Sequence, residues 1–543
     1  MLTLILPHIA KIATVAVLCA VIVKFIVYPI FLSPLSKLPV AHPLAYVTSL
    51  WIQWHRWRGT EFDCVTQAFA NQGSYVRLAP NEIAVNEIEA VRSVYGIGKN
   101  NFDKDPYYGH FGSHGARNTF TSLGMDHRVR RRRISAIYSR SFVRTSPHVR
   151  AILHCLLVER MLPIFAQASS SSNKSLNVPS LFHAFALDFV SLLAFGISRG
   201  TNFIDNEQMR WGWMEQLRLA YPDDKAFWMR EHSFLVNILG RIGIPILPKA
   251  HFQVVKERED WALAKVSECE DAMHDSKGKI RDIASLPLGE LPIIYAYMRS
   301  AMEKTAPVDG HFTLSSHQAL EVASEILDHI TATGDTFGTM FTYMVYELSR
   351  RQDIQKDLCE ELLGIANPFL YNGITESSMP ILADLEGLPC LESVIKESLR
   401  LRTQTPNLAP RVTPPNRRSS VGFLCNLPPG IRIGTYGWWL NRNPDVFPDP
   451  DTWEPRRWLG GGPDAAALRD KWLFAFGGGS RGCIGEQIAM DLLRLLISGI
   501  YSNFKTTVLD EAEYPGANKF HSSFCEDKLF IKFERLPRSA AEP

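Results

Sequence analysis

Apolar positions follow three different patterns along this chain, and each predicts its own kind of element. Leu2 to Leu32 is almost continuously apolar, broken by Lys11 and Lys24. Its longest uncharged core, Ile12 to Val23, falls short of the roughly 20 residues of a comfortable membrane span, and snorkelling of Lys24 extends it. Alternation over Ser74–Leu78 and Ile83–Asn86, on either side of Pro80-Asn81-Glu82, predicts a β-hairpin. Helical periodicity then dominates. The longest helical run, about Gln318 to Arg350, opens on the capping-box pair Ser315 and Gln318 and closes on Arg350 and Arg351, which suit the C-terminal dipole. At ~1.5 Å per residue it spans about 50 Å, enough to cross the molecule. A second helix starts at Pro389 and is followed by Pro406, and a third runs from Glu486 to Phe504. Strands return at Lys505–Leu509 and Lys528–Phe533. The expected fold class is mainly α with minor β, behind a separate N-terminal element.

Composition narrows the function. The chain has 543 residues, 46% of them hydrophobic, and no repeat or low-complexity tract, so it can bury a large core. A formal net charge of +2 gives no sign of a nucleic-acid partner. Nine cysteines, an odd number without a Cys-x-x-Cys pair, do not form a disulfide framework or a zinc site, and a reducing, cytosol-facing setting fits them. The N-terminal stretch has three readings: a single-pass anchor, a helix lying in the membrane interface, or a cleaved signal peptide. Lys37, Arg56 and Arg58 follow it whereas only Lys11 lies near its start, which places the body in the cytosol. Pro34, Pro39 and Pro43 stiffen the connection. The expected division is residues 1–32 as membrane anchor and 33–543 as one catalytic domain.

One stretch dictates a chemistry. Phe476-Gly-Gly-Gly-Ser-Arg-Gly-Cys-Ile-Gly485 places a single cysteine, Cys483, in a glycine-rich loop just before a helix. Glycines allow close backbone approach and positive φ, and helix N-terminal amides favour a thiolate. A thiolate ligand pushes electron density onto a haem iron and favours O–O cleavage. A lone cysteine is more often a buried structural one, but the five fixed residues Phe476, Gly479, Arg481, Cys483 and Gly485 favour the ligand. Glu397 and Arg400 form a Glu-x-x-Arg pair 83 residues before Cys483 (483 − 400). Such a pair alone is a common solvated contact worth about 0.2–0.5 kcal/mol. Pro-Arg-Arg-Trp at 455–458 supplies a third candidate, Arg457.

Taken in this order, these motifs resemble those of the cytochrome P450 monooxygenases, from about residue 34 to the C-terminus. The hairpin sequence Arg-Leu-Ala-Pro-Asn-Glu resembles the first sheet of fungal members. The resemblance implies haem b (heme b) with Cys483 as axial ligand, and a scaffold of Glu397, Arg400 and Arg457. In the run Asp126 to Arg133, otherwise a solvated face or partner patch, His127 and Arg131 hold the positions of a Trp-x-x-x-Arg pair that contacts a haem propionate, with histidine in place of tryptophan. Arg131, Arg481 and Arg411 would seat the propionates, since arginine binds carboxylates bidentately. In Ala332-Thr-Gly-Asp-Thr-Phe337, Asp335 and Thr336 resemble the acid–alcohol pair that kinks the long helix and delivers protons during oxygen activation. The alternative is a weak point with threonine bonded back to a carbonyl. Thr333 and Phe337 depart from the family pattern and are expected to narrow the pocket.

Asp328, Thr331 and Ala332 share the Asp335 face by helical spacing and are candidate substrate contacts. So are Tyr107, Tyr108, Phe111 and Phe120 before the basic run, and Thr405, Asn407 and Leu408 after the Glu-x-x-Arg helix; each could equally be packing. Phe227 to Pro248 is apolar without being long enough to span, so it is either core or a lid dipping into a membrane surface. The implied protein is a microsomal monooxygenase of the endoplasmic reticulum membrane. It would take electrons from an NADPH-cytochrome P450 reductase, with cytochrome b5 as a further partner, and insert one oxygen atom into a lipophilic small molecule. A terpenoid or polyketide intermediate of secondary metabolism is expected from the fungal resemblance. Two alternatives stay open: a haem-thiolate isomerase or dehydratase acting on a peroxide, and a haem sensor without turnover.

Overall fold

The computed structural model describes residues 2–96, 102–170, 175–274, 281, 285–305, 312–374, 377–402, 408–509 and 528–537, with side chains from Lys11 onward, Asp335 excepted. The described chain forms two compact units: Met1–Tyr107 with Thr405–Asn441 and Phe476–Gly482, and the larger Tyr108–Gln404 with Arg442–Ala475 and Cys483–Pro543.

The larger unit is built around the expected long helix, Ser316–Arg350. Its capping box forms as the sequence predicts: Ser315 Oγ accepts from the Gln318 N–H at 3.3 Å, and Gln318 Oε1 accepts from the Ser315 N–H at 2.9 Å. The helix Pro179–Phe195, buried at every position, packs along this central helix. Contact is close enough that a Cβ on Gly334 would stand 2.5 Å from Leu187 Cδ2. Lys249–Ala272 packs on it as well. A three-stranded antiparallel sheet joins Ser175–Asn177, Phe530–Arg535 and Phe504–Val508, which realises both C-terminal strand expectations within about two residues.

The smaller unit carries a five-stranded sheet. Its hairpin, Tyr75–Ala79 and Glu82–Val85, pairs antiparallel with Arg77 opposite Ile83, and Arg432–Gly434, Arg411–Val412 and Asp103–Lys104 complete it. Leu408, open to either a substrate-contact or a packing role, is buried here, 3% exposed in a cluster with Val76, Leu78, Ala84 and Tyr436. Gly434 explains the fit, because a Cβ there would stand 2.3 Å from the Leu408 carbonyl oxygen.

The N-terminal stretch is an α-helix over Leu2–Ile22 that widens into a π-type helix over Val23–Leu32 containing Pro29. Lys11–Leu32, with mean hydropathy 2.6, is long and apolar enough to cross a membrane, and Ile12, Leu18, Phe25 and Phe31 on it are exposed. Arg77, fully buried, holds its end: the guanidinium donates to the Pro29 carbonyl at 2.8 Å and to those of Ala79 and Pro80. Phe227–Pro248 contains two short helices, Ala226–Glu231 and Ser233–Arg241, with Phe234, Ile242 and Ile244 exposed, which removes the core reading for these side chains.

Candidate active site

Pro389 opens the helix Pro389–Leu401 as expected, and this helix carries a charge with no exposure at all. The Glu397 carboxylate accepts five N–H donors: Arg400 Nε and Nη2 at 2.9 and 2.8 Å, Arg457 Nε, the Trp458 indole and the Glu454 amide at 2.9 Å each. Arg400, equally buried, donates through Nη1 to the Pro450 carbonyl and through Nη2 also to that of Thr452, and Arg457 donates to Thr452 as well. The three expected residues are thus brought together. The sequence pattern did not reveal that Trp458 and Glu454 complete the set. With every lone pair of the carboxylate engaged, the buried charge is balanced where a bare ion pair would be costly.

Cys483 lies two residues before Gly485, the N-cap of the helix Glu486–Tyr501. Its side chain has accessible surface although protein surrounds it on most sides, so it opens onto a recess. Burial pushes the thiol up, and the N–H groups of Gly485 and Glu486 with the Arg131 guanidinium push it back. The donor set therefore suits a soft, positively charged partner on sulfur, the chemistry of a thiolate-bound haem iron. Not all loop glycines serve the expected conformational purpose. Gly477 and Gly479 have φ of +70° and +64°, whereas Gly482 and Gly485 do not need positive φ. Gly479 is confined further, since a Cβ would stand 2.4 Å from the Tyr95 carbonyl oxygen. Phe476, in the smaller unit, is half-buried. In that unit Arg481, 8% exposed, pairs with Asp103, and Arg411, 5% exposed, lies 4.8 Å from the Tyr95 ring centroid and donates to the carbonyls of Ala409 and Pro410.

The basic run forms the helix Gly124–Ile134 and divides its charges by face. Arg128 and Arg132 are exposed, while Arg130 and Arg133 bridge to Glu321 on the central helix at 3.1 and 3.3 Å. His127, buried, and Arg131, half-buried, share the remaining face by i,i+4 spacing. Burial pushes the Arg131 guanidinium down and Cys483 pulls it back, so these two groups sense each other.

Midway along the central helix, Ala332 is exposed and Thr331 and Thr336 are half-buried, which marks an open face on an otherwise enclosed helix. The Thr336 hydroxyl donates to the Ala332 carbonyl at 2.7 Å, the back-bonded alternative, within the continuous helix Ser316–Arg350. Its oxygen keeps lone pairs for an outside donor. The Asp335 side chain and Thr405 lie outside the described residues. Phe337, expected to narrow a pocket, is 6% exposed and packs with Phe185 and Phe341, so its ring belongs to the helix–helix interface. Asp328 is half-buried on the Thr331 face. Tyr108 meets Phe120 edge-on at 5.3 Å, and Phe111 meets Phe120 at 5.2 Å and Tyr221 at 6.4 Å, an aromatic wall.

Two buried groups on this helix pair escaped the sequence reading. His183 is bonded through Nδ1 to the Gly334 carbonyl at 2.7 Å; burial pushes it down to about 4, so it is neutral and donates there. Glu325, 1% exposed, accepts from the Thr119 amide at 2.8 Å and faces His329, which bonds the Tyr138 hydroxyl at 2.8 Å. Despite burial, each partner holds the other charged. Neither histidine has a motif around it, and only the i,i+4 spacing of Glu325 and His329 was visible.

Residues 50–530 match the cytochrome P450 family profile. The chain is similar to cytochrome P450 monooxygenase hkm5 of Aspergillus hancockii, 26% identical over 88% of this chain and 86% of that one. It is likewise similar to monooxygenase avaI of Aspergillus versicolor, 27% identical over 78% and 94%, and to oblB of Cochliobolus heterostrophus, 24% identical over 92% of both chains. This protein belongs to the cytochrome P450 family, oxidoreductases that bind haem through a cysteine thiolate and incorporate oxygen.

Proposed function

We propose that this chain is a membrane-anchored monooxygenase in which Cys483 is the haem ligand and residues 33–543 form the catalytic domain. The observation that carries this reading is the setting of Cys483: a lone thiol ahead of a helix, facing two backbone N–H groups and Arg131. Phe476, Gly479 and Gly485 shape the loop, and His127 and Arg131, and likewise Arg411 and Arg481, would be the residues to hold haem propionates. Bound haem supplies oxygen activation; the chain's own residues do the rest. Glu397, Arg400 and Arg457 fix the frame behind the loop, and the Thr336 hydroxyl, with Asp335 as its neighbour in sequence, holds and passes protons at the open face of the central helix. Electrons come from an NADPH-cytochrome P450 reductase, with cytochrome b5 as a second donor. The substrate is a lipophilic small molecule, a terpenoid or polyketide intermediate, consistent with relatives from Aspergillus and Cochliobolus. The exposed apolar helix Lys11–Leu32 supports anchorage in the endoplasmic reticulum membrane with the body in the cytosol.

The test is spectroscopic. Reduced, carbon monoxide-treated protein should show the red-shifted Soret band of thiolate ligation, and Cys483→Ser should abolish it. Persistence of the band in that variant refutes the assignment.

A further inference from the structure

Arg258 is a buried cation that pairs with no carboxylate among the described residues. It lies on the helix Lys249–Ala272 and is 5% exposed. The carboxylates beside it in sequence are engaged elsewhere: Glu257 accepts from Gln253 and Gln216, Glu259 from the His114 amide, and Asp260 from Lys256. Its surroundings are neutral. Nη2 donates to Thr331 Oγ1 at 2.8 Å, and the guanidinium stands 5.3 Å from the Trp213 ring centroid and 5.7 Å from that of Tyr221. Burial pushes its pKa down, and only the Tyr221 phenol opposes this.

The ring faces attract the cation, and the Tyr221 phenol and the Thr331 hydroxyl are its neutral hydrogen-bond partners. Arg258 Nε is buried with no hydrogen-bond partner among the described residues, and so is the indole Nε1 of Trp213, 7% exposed. Two neighbouring side chains therefore present buried N–H donors and one positive charge, with nothing in the described protein to accept them. Such an arrangement is costly for a fold to keep for its own sake.

Its place gives the reason. Thr331 stands between Asp328 and Ala332 on the open face of the central helix, and Tyr221 continues through Phe111 into the aromatic wall. We propose that Arg258 recognises an anionic group on the substrate, so that this enzyme acts on lipophilic acids, molecules with an apolar body and one carboxylate. A carboxylate supplies the missing negative charge and the missing acceptors, and the planar guanidinium fits it in two-point geometry. The assignment rests on the reading of the Thr331–Thr336 face as the substrate wall.

The experiment uses full-length, haem-loaded protein and two probe pairs: lauric acid against methyl laurate, and abietic acid against methyl abietate. Binding is followed through the Soret shift of the oxidised enzyme. At least one acid should bind about tenfold or more tightly than its ester. Arg258→Met should erase that preference, Arg258→Lys should retain part of it, and the Met variant should melt at or above the wild-type temperature. The proposal is overturned if neither acid outbinds its ester, if the preference survives in Arg258→Met, or if the Met variant unfolds or loses haem, which would assign Arg258 to the fold. A wild-type protein without the carbon monoxide band would sink the haem-thiolate reading itself; the band without an acid preference sinks only the charge assignment.

Discussion

Glu397 and Arg258 are both charges removed from water within one unit, and their surroundings differ completely. Glu397 receives five N–H donors from four residues of its own chain, all held by helix and loop backbone. Arg258 donates to neutral hydroxyls, those of Thr331 and Tyr221, and lies beside two aromatic rings, while its Nε has no partner among the described residues. A charge whose neighbours satisfy it fully serves the frame, because nothing is left over to bind anything else. A charge left with free donors lowers stability and holds interaction capacity in reserve. Burial alone does not distinguish the two; counting partners does.

The contrast breaks first at Glu397. Glu397→Ala leaves Arg400 buried without its counter-charge, and losing one member of such a pair typically costs about 3–5 kcal/mol. Denaturant unfolding should show a loss of that size together with poor haem content, and wild-type stability in this variant would erase the distinction.

His183 offers a neutral intermediate case. Its ordinary value is 6.5 and burial pushes it to about 4. Between those values the unfolded chain binds a proton that the folded chain refuses. The folded state is therefore unaffected above pH 6.5 and loses stability as pH falls toward about 4, by about 3 kcal/mol in all. His183→Phe preserves ring volume and removes this titration, so the acid slope of stability measured over that range should flatten; an identical slope would show that His183 is not its source. Arg258→Met carries the opposite sign from Glu397→Ala, with an expected gain of about 1 kcal/mol, readable in the same unfolding series.

Thr336 shows the smallest stability effect. Its hydroxyl makes one local bond, to the Ala332 carbonyl, so Thr336→Val should change stability by no more than about 1 kcal/mol. The effect should appear in the chemistry: NADPH consumption continues while oxygenated product falls and hydrogen peroxide rises. Full coupling of consumption to product would remove the proton role.

What the linear sequence revealed was whatever depends on near neighbours. The central helix was legible because Ser315 and Gln318 cap it within one turn, and the Cys483 loop because its residues act at fixed spacing. Leu408 stayed undecided between packing and substrate contact because its surroundings include Gly434, distant in sequence on the strand Arg432–Gly434. Phe337 was misread because Phe185, on another helix, decides which way its face points. Arg258 sits in the charged run Lys256-Glu-Arg-Glu-Asp260, where nothing local marks it as buried; Trp213, Tyr221 and Thr331, distant in sequence, meet its guanidinium.

Arg77 gives the N-terminal helix a fixed bearing. A loose tether would let the body swing freely above a bilayer, but here a sheet arginine grips the Pro29 carbonyl and two carbonyls of its own hairpin. Once Lys11–Leu32 lies in a membrane, the tilt of that helix and the tilt of the hairpin become a single variable. Helices longer than the hydrocarbon layer lean over to fit it, so bilayer thickness becomes an input to the angle of that hairpin against the membrane plane.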